Sequence, residues 1–365
     1  MNSAPDNASS ATLLALALLG GGSCGDASGN LPPVVWGDEH YLYATDVEEP
    51  VCAATLRRQG EFAAGLADVL FGPPDPPRKF IYYVLDERSF LDAACPDGSG
   101  CYTSGRIFSR EPLHLHEIVH AVNDLSIGAS HPFFGEGIAE VFRDRYLGPQ
   151  EIRSSLGEGL QSAAEKLPDD QYVRAGHFMA YILDTYGETT TLDLLTQTRP
   201  GQTGAQLEDI LADVTGLPYE QLAADYAAYP LCNNRSYRWP ITECASAPPP
   251  WSECQLEISV DVDCTVSDAL GPREDEVWIT RTLAIPDNGV YGFSTFGDTA
   301  TQAYVELGRC TVGCKQGGSY VRFELEEEQD LALEAGQYYL SFVRGSSEPG
   351  TLGVRVLRHG PTCGP

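Results

Sequence analysis

The chain has 365 residues, and its 52 acidic and 23 basic side chains give a formal net charge of −29. A chain of this length buries a substantial core and ordinarily divides into two domains. Because both halves are acidic, the composition excludes a nucleic-acid backbone or an anionic membrane surface as a partner, since both would be repelled.

The first 24 residues have the features of an export segment. An apolar run of nine residues at 11–19 (ATLLALALL) is too short to span a bilayer as a helix, and small residues and Cys24 follow it. The stretch ending at Cys24 resembles the cleavage box of bacterial lipoproteins, which implies a lipid anchor on that cysteine. Cleavage without lipidation is the alternative. We expect residues 1–24 to be a signal peptide and residues 25–33 a tether, with the protein at the cell surface, on the outer membrane or secreted.

The cysteines support export independently. Eleven are present, and the ten that remain after Cys24 suit five disulfides in an oxidising compartment. The sequence contains no Cys-x-x-Cys pair, so the cysteine spacing does not indicate a metal site. Their spacing favours local bridges, because Cys95 and Cys101 flank one turn and Cys310 and Cys314 flank another. The remaining cysteines are Cys232, Cys244, Cys254 and Cys264 in one cluster, with Cys52 and Cys363 isolated.

A proline stretch at 245–250 (ASAPPP) marks the clearest boundary, because neither a helix nor a central strand accommodates it. Before it, strand-like and helical patterns mix, which predicts an α+β domain over residues 34–245. After it, helical periodicity disappears, which predicts an all-β sandwich over 253–365 beyond a linker at 246–252. The predicted strand in the first part is 80–85, and the predicted helices are 151–166, 172–186 and 217–229. The strands predicted in the second part are 276–283, 289–295, 303–307, 320–325, 337–343 and 351–357.

The chemistry concentrates at His116-Glu117-Ile118-Val119-His120, within a stretch that has a helical apolar face. Residues four apart lie on one face of a helix, so His116 and His120 can bind one Zn²⁺. Glu117 lies beside them, where its carboxylate suits a base that takes a proton from water without binding the metal. A core helix with two satisfied histidines is the alternative interpretation.

The downstream segment Phe134-Gly135-Glu136-Gly137-Ile138-Ala139-Glu140 makes the pattern specific. An aromatic residue before Glu-Gly-x-Ala-Glu, shortly after His-Glu-x-x-His, resembles the gluzincin peptidases. The resemblance implies a thermolysin-like fold, Glu136 as the third zinc ligand and Glu140 as an acid that orients His116 through its other ring nitrogen. Fifteen residues separate His120 from Glu136, a few fewer than the best-known families use. The metzincin pattern is excluded, because Asn123 stands where a glycine is needed.

Other histidines compete for the metal. His131 is the alternative third ligand if Glu136 is structural, whereas His114 is two residues from His116 and points away on a helix. His40 and His359 are expected at the surface.

An oxyanion formed in peptide hydrolysis needs a donor besides the metal. The segment beginning at Tyr172 resembles the Tyr-x-x-Gly/Ala stretch that supplies this donor in gluzincins, which implies that role for Tyr172. His177 is the alternative donor, and a purely structural role for both remains open. Residues 105–109 are a candidate edge strand along which a peptide substrate would pair.

The predicted activity is endopeptidase rather than aminopeptidase, because the Gly-x-Met-Glu-Asn segment of the aminopeptidase branch is absent. The second part resembles the prepeptidase C-terminal sandwich of secreted bacterial peptidases, through YGFST at 291–295 and LEAGQYYL at 333–340. Such modules carry no catalytic residues. Its acidic residues are expected to keep the surface soluble, and Ca²⁺ binding by them is the alternative interpretation. These residues are Asp261, Asp263, Asp287 and Asp298.

The sequence therefore predicts a monomeric exported hydrolase with one Zn²⁺, acting on peptide or protein substrates. Glu117 is its expected base. The competing hypothesis is a non-catalytic surface lipoprotein that binds a partner through a gluzincin-like domain. We further expect residues 253–365 to fold alone and to be removable without loss of zinc.

Overall fold

The computed structural model describes most of the chain beyond residue 30. The export segment and Cys24 lie outside the described residues, as does the tether up to residue 30. The described residues are 31–48, 51, 52, 54–92, 100–144, 156–162, 166–315 and 320–360.

The first part is built on a five-stranded mixed sheet. Its three inner strands are parallel, and an antiparallel strand lies at each edge, in the order β1-β2-β3-β5-β4. The inner strands are apolar because core side chains cover both faces of the sheet. The strand predicted at 80–85 is confirmed. The strands are β1 (Val34–Gly37), β2 (Tyr41–Thr45), β3 (Phe80–Val84), β4 (Gly100–Thr103) and β5 (Arg106–Ser109).

The edge of this sheet is not where the sequence predicted it. Residues 105–109 were the expected edge strand, yet β5 pairs with β3 on one side and with β4 on the other. Among the described strands, β4 is the one left at that edge. The prediction failed because β4 is short and follows a turn-rich stretch, so its extended conformation has little local signal.

Eight helices are described in the first part, which confirms its mixed α+β character. The prediction at 172–186 matches the first segment of α6, which is interrupted at Gly187 by a φ of 80°. The prediction at 217–229 is confirmed within two residues by α8, while 151–166 contains α5 and otherwise lies partly outside the described residues. The helices are α1 (Thr55–Leu66), α2 (Glu87–Asp92), α3 (Leu115–Ile127), α4 (Pro132–Phe142), α5 (Leu156–Ser162), α6 (Tyr172–Gln197), α7 (Gly204–Thr215) and α8 (Tyr219–Ala228).

Helix α4 packs against both α3 and α6 in the core. The apolar face predicted around His116 is buried in α3, including Ile118 and Val119, which are fully shielded from solvent. Helices α4 and α6 approach closely at a glycine: a Cβ on Gly137 would lie 2.5 Å from the carbonyl oxygen of Ala175. This close packing brings the start of α6 toward α3.

The second part is a β-sandwich, as predicted. One sheet has the strand order β11-β10-β13-β8-β7 and the other β12-β9-β14-β6. All six predicted strands are present, whereas β6, β7 and β12 were missed because their apolar runs are short or strongly mixed with charge. The strands are β6 (Gln255–Val262), β7 (Leu270–Arg273), β8 (Glu276–Ile285), β9 (Gly289–Gly297), β10 (Ala303–Arg309), β11 (Val321–Glu324), β12 (Glu328–Leu333), β13 (Gly336–Gly345) and β14 (Gly350–His359).

The disulfides correct the expectation of a local bridge between Cys310 and Cys314, whereas Cys95 of the other predicted local pair lies outside the described residues. Cys310 and Cys314 do not pair with each other, because Cys310 is joined to Cys244 and Cys314 to Cys232. A third bridge joins Cys52 to Cys264. Each of these three bridges links the first part to the sandwich. Sequence spacing could not reveal the pairing, since partners are 66 to 212 residues apart.

The two parts also share a hydrophobic core. Trp278, Tyr304 and Val343 of the sandwich belong to the same buried cluster as the helices of the first part. The structure therefore gives no support to the expectation that residues 253–365 are a removable unit. Removing them would expose apolar surface in the remainder and leave three cysteines without partners.

Candidate metal centre

Helix α3 presents His116, Glu117 and His120 from its first two turns. The helix begins at Leu115, directly after His114, whose φ of −138° is not helical. His116 and Glu117 are each 7 % exposed, and His120 is partly exposed. The buried apolar residues on the opposite face fix the helix in the core, so the two imidazoles are held toward α4.

Helix α4 supplies Glu136 to the same point. Its start is fixed by Pro132 at the first helical position and by His131, whose Nδ1 accepts a hydrogen bond from the backbone N–H of Phe133. Glu136 Oε2 lies 3.1 Å from Nε2 of His116 and 3.1 Å from Nε2 of His120, and the two Nε2 atoms are 3.2 Å apart. Three donor atoms from two helices thus form a nearly equilateral triangle.

This triangle has the dimensions of a metal site. Four ligands at about 2.0 to 2.1 Å from a tetrahedral zinc ion lie about 3.3 Å from one another, close to the three distances observed. Within the described residues, His116, His120 and Glu136 are the one group of His, Cys, Asp or Glu side chains arranged to hold a metal ion. The structure therefore brings together the three residues that the sequence predicted as metal ligands.

Glu140 holds His116 from the other side of its ring. Its Oε1 lies 3.1 Å from Nδ1 of His116 and accepts a hydrogen bond of 2.7 Å from Nη1 of Arg143. Burial lowers the pKa of His116, but the hydrogen bonds with Glu136 and Glu140 outweigh it and raise that pKa to about 10. The carboxylates therefore favour positive charge at this ring, whether from a proton or from a cation.

Glu117 lies close to the triangle without belonging to it. Its negative charge is among the causes that raise the pKa values of His116 and His120. The edge strand β4 passes directly over it, since a Cβ on Gly100 would lie 3.1 Å from Cγ of Glu117 and 2.4 Å from Nδ1 of His114. Any larger residue at position 100 would displace one of these two side chains.

Tyr172 is the second catalytic candidate that the fold brings to the site. Its ring stacks on His116, with ring centroids 6.1 Å apart and an interplanar angle of 29°. Burial raises the pKa of the Tyr172 phenol well above its usual value, and the negative charges of Glu136 and Glu117 raise it further. The hydroxyl therefore keeps its proton and can act as a hydrogen-bond donor.

His177, the alternative donor, is directed elsewhere. Its Nδ1 contacts the hydroxyl of Tyr226 at 2.9 Å, and its Nε2 lies 3.1 Å from the carbonyl oxygen of Pro230. Because a carbonyl only accepts, Nε2 carries the proton and Nδ1 accepts from the tyrosine. Both ring nitrogens are thus occupied in the core between α6 and α8, and the structure does not bring His177 to the triangle. Residue spacing alone could not distinguish the two faces of α6.

The other histidines also take structural positions. His131, the alternative third ligand, is fully buried and caps α4, and burial lowers its pKa to about 4. His114 is buried beneath β4, where burial lowers its pKa to about 3. His40 and His359 contact the acidic residues Glu39 and Asp330 and are partly exposed, in keeping with the prediction.

A cavity of about 490 Å³ opens beside the triangle. Its walls come from β4 and the turn after it, from α3, from the start of α4 and from residues before α6. Both His120 and Glu136 line it, so a molecule in the cavity reaches the candidate metal position. The remaining lining residues are Tyr102, Thr103, Ser104, Asn123, Asp124, Ala129, Ser130, Pro132, Gly135, Lys166 and Leu167.

Two residues that shape the site were missed from the sequence. Arg143, the residue directly after α4, follows Glu140 by three positions, and this i, i+3 spacing of opposite charges was a usable signal. Gly100 matters only through contacts with His114 and Glu117, which lie on another element. Nothing local in the sequence distinguishes it from a turn glycine.

No family model and no curated protein matches the chain. Solved structures similar to part of it include the pre-peptidase C-terminal domain of a collagenase from Bacillus anthracis, at 14 % identity and a TM-score of 0.22, covering 28 % of this chain and 89 % of that domain. PliG of Aeromonas hydrophila, a periplasmic inhibitor of g-type lysozyme, matches at 15 % identity and a TM-score of 0.21, covering 31 % of this chain and 94 % of PliG. Similarities at this level carry no argument about function.

Helices that would cross a membrane were sought in the described part of the chain, and none there combines the necessary length and apolarity. The three disulfides are consistent with export.

Proposed function

We propose that this chain is a zinc-dependent endopeptidase of the gluzincin kind that acts on exported or extracellular proteins. The observation that carries the proposal is the triangle of His116, His120 and Glu136 donor atoms with the Glu117 carboxylate beside it. A purely structural zinc site has no use for a base next to its ligands. Zinc, when bound, would polarise the scissile carbonyl and make an attacking water more acidic.

The residues of the chain would perform the remaining steps. Glu117 accepts the proton of the attacking water and later passes it to the departing amine. Tyr172 donates its O–H to the oxygen on which negative charge develops, and its raised pKa keeps that proton in place. Glu140 holds the His116 ring by its Nδ1, so that Nε2 faces the metal position.

Strand β4 is the proposed docking edge for an extended peptide. It lies at the edge of the described sheet, and Tyr102 and Thr103 line the cavity that leads to His120. A substrate added along this edge would form backbone hydrogen bonds that do not depend on its sequence. Gly100, the first residue of β4, lies directly over Glu117, so a peptide along this edge would be led to the proposed catalytic base.

The test combines metal analysis with peptide cleavage by the full, oxidised chain. We expect about one zinc per chain after mild purification and cleavage of unstructured peptides at internal bonds. A chelator should abolish cleavage, and added zinc should restore it. A protein that binds no zinc, or binds it and leaves a diverse peptide library uncut, would contradict the proposal and favour a partner-binding lipoprotein.

A further inference from the structure

The hairpin between β7 and β8 of the sandwich reaches into the first part beside the two ligand helices. Two hydrogen bonds fix it there: the N–H of Cys52 donates to the carbonyl of Gly271, and the N–H of Gly271 donates to the side-chain Oγ1 of Thr55, both at 2.9 Å. The two turn residues, Glu274 and Asp275, have φ values of 48° and 63°. The hairpin is therefore a fixed arm rather than a loose loop.

Arg273, the last residue of β7, forms two buried ion pairs from this arm. Its Nε lies 2.7 Å from Oε2 of Glu111, and its Nη1 lies 2.5 Å from Oδ2 of Asp144. The three side chains are 12 %, 15 % and 4 % exposed. Glu111 precedes the start of α3 by four residues, and Asp144 follows the end of α4 by two. One guanidinium thus connects the start of one ligand helix to the end of the other.

The connection continues to the metal triangle. Asp144 adjoins Arg143, which binds Glu140, and Glu140 binds His116. The Glu111 side leads through four residues into the turn of α3 that carries His116 and Glu117. A planar guanidinium suits this task, because its donors form a rigid fork that can engage two carboxylates at once.

We propose that Arg273 is a positioning residue of the metal centre, through which the sandwich holds α3 and α4 at the separation that the three ligands require. The inference rests on the proposed metal site. It gives the second part of the chain a role in the chemistry of the first, although the sandwich contributes no group to the triangle.

A contact that merely joins the two parts would behave differently, and the chain provides one for comparison. Lys315 of the sandwich donates to the carbonyl of Asp184 and to Thr185 Oγ1, at 3.3 and 3.1 Å. These residues lie on α6, twelve positions after Tyr172, which is about 18 Å along the helix axis. Lys315 therefore joins the two parts without contacting either ligand helix.

The experiment measures metal affinity in the full, oxidised chain, using Co²⁺ as a spectroscopic substitute and Zn²⁺ in competition. Arg273→Gln should weaken binding of both metals about 10-fold, the lower end of the range for outer-shell partners, and should change the visible spectrum of bound Co²⁺. Arg273→Lys keeps the charge but not the fork, so it should recover part of the loss. Lys315→Gln should bind both metals as the parent does.

Asp144→Asn removes the same ion pair from the other side with little change in shape. It should weaken Co²⁺ binding to a similar extent, and adding Arg273→Gln should cause little further loss. This variant also decides the matter if Arg273→Gln does not fold. Affinities and Co²⁺ spectra in folded Arg273→Gln and Asp144→Asn that equal those of the parent overturn the positioning role, while the metal site stands. A parent that binds neither metal overturns the metal site and the role of Arg273 with it.

Discussion

The Nδ1 atom of His116 lies 3.1 Å from Oε1 of Glu140, on the side of the ring opposite the Nε2 that faces Glu136 and His120. Both nitrogens of one imidazole are therefore held by acidic groups from a single helix, α4. Residues 136 and 140 are one turn apart, so adjacent turns of α4 contact the two nitrogens of the ring. Burial raises the pKa of Glu140, but the charge of Arg143, a further three residues along, and the hydrogen bonds with His116 and Arg143 outweigh it and lower that pKa, so the carboxyl stays ionised.

Replacing Glu140 by Gln should weaken zinc binding about 10- to 100-fold, because the amide no longer supplies the negative charge that orients and polarises His116. Competition with a chromophoric chelator measures the change. Glu158→Gln makes the same substitution on α5, away from the triangle, and serves as the control. An unchanged zinc affinity in Glu140→Gln would mean that the contact with His116 is structural only.

The variant Glu117→Gln separates catalysis from metal binding. It preserves the size of the side chain and removes the base, so zinc should stay bound while peptide cleavage falls about 10² to 10⁴-fold. Glu136→Ala removes a ligand and should lower the zinc content as well. Elemental analysis alongside a fluorogenic peptide assay distinguishes the two. Parent-like cleavage by Glu117→Gln would assign the activity to another site or to a contaminant.

Tyr172→Phe deletes the proposed oxyanion donor and keeps the ring that stacks on His116. Turnover should fall about 10² to 10³-fold, with zinc content unchanged. His177→Gln should leave turnover near the parent value, because that side chain lies between α6 and α8 and not at the triangle. Steady-state kinetics on both variants tests the assignment, which would be reversed if the histidine variant alone lost activity.

Gly100→Ala should impair cleavage more than metal binding. Its added methyl group would meet the His114 ring and Cγ of Glu117, so the base would move while the three ligands stay in place. We expect kcat to fall at least about 10-fold, since misplacing a reacting group by even 1 Å can cost 10²-fold. Gly157→Ala, whose nearest neighbour would be Tyr219 Oη at 3.7 Å, is the control. Equal kcat values for the two variants would contradict the role of β4 over the base.

We expect the free energy of unfolding to decrease as the pH falls, and His177 to contribute part of that decrease. Burial lowers the pKa of His177 to about 4, below its ordinary value near 6.5, so the folded state favours the neutral ring. The unfolded chain binds more protons between these values, and stability is lost as the pH falls through that range. His177→Gln should reduce the loss between pH 7 and pH 5 by about 2 kcal/mol. Urea unfolding at both pH values measures it, and parallel pH profiles would show that the folded and unfolded chains protonate this ring at the same pH.

The triangle could be predicted from sequence because its geometry is local. His116 and His120 are one helical turn apart, and the Glu136-Gly137 motif predicts a second helix whose first turns face them. The sandwich could also be predicted from the sequence, since strands rich in Val, Tyr and Phe alternate with turn residues. In both cases the signal and the structure lie within the same short segment.

The remainder depended on contacts between distant segments. His177 carries the same local pattern whether it faces α3 or α8, and only the packing of α8 decides between them. The cysteines admit many pairings, and their partners lie in different parts of the chain. The ion pairs of Arg273 join residues 129 or more positions apart. Helical or strand periodicity in the sequence does not predict contacts between residues so far apart.

The three bridges that link the two parts have a consequence for survival among other proteases. Each spans the proline-rich stretch at 246–252, since Cys52, Cys232 and Cys244 lie before it and Cys264, Cys314 and Cys310 after it. A single cut in that stretch would therefore produce two polypeptides that remain joined by disulfides. The nicked molecule would run as one species without reductant and as two with it, and the arm that carries Arg273 would remain against the ligand helices.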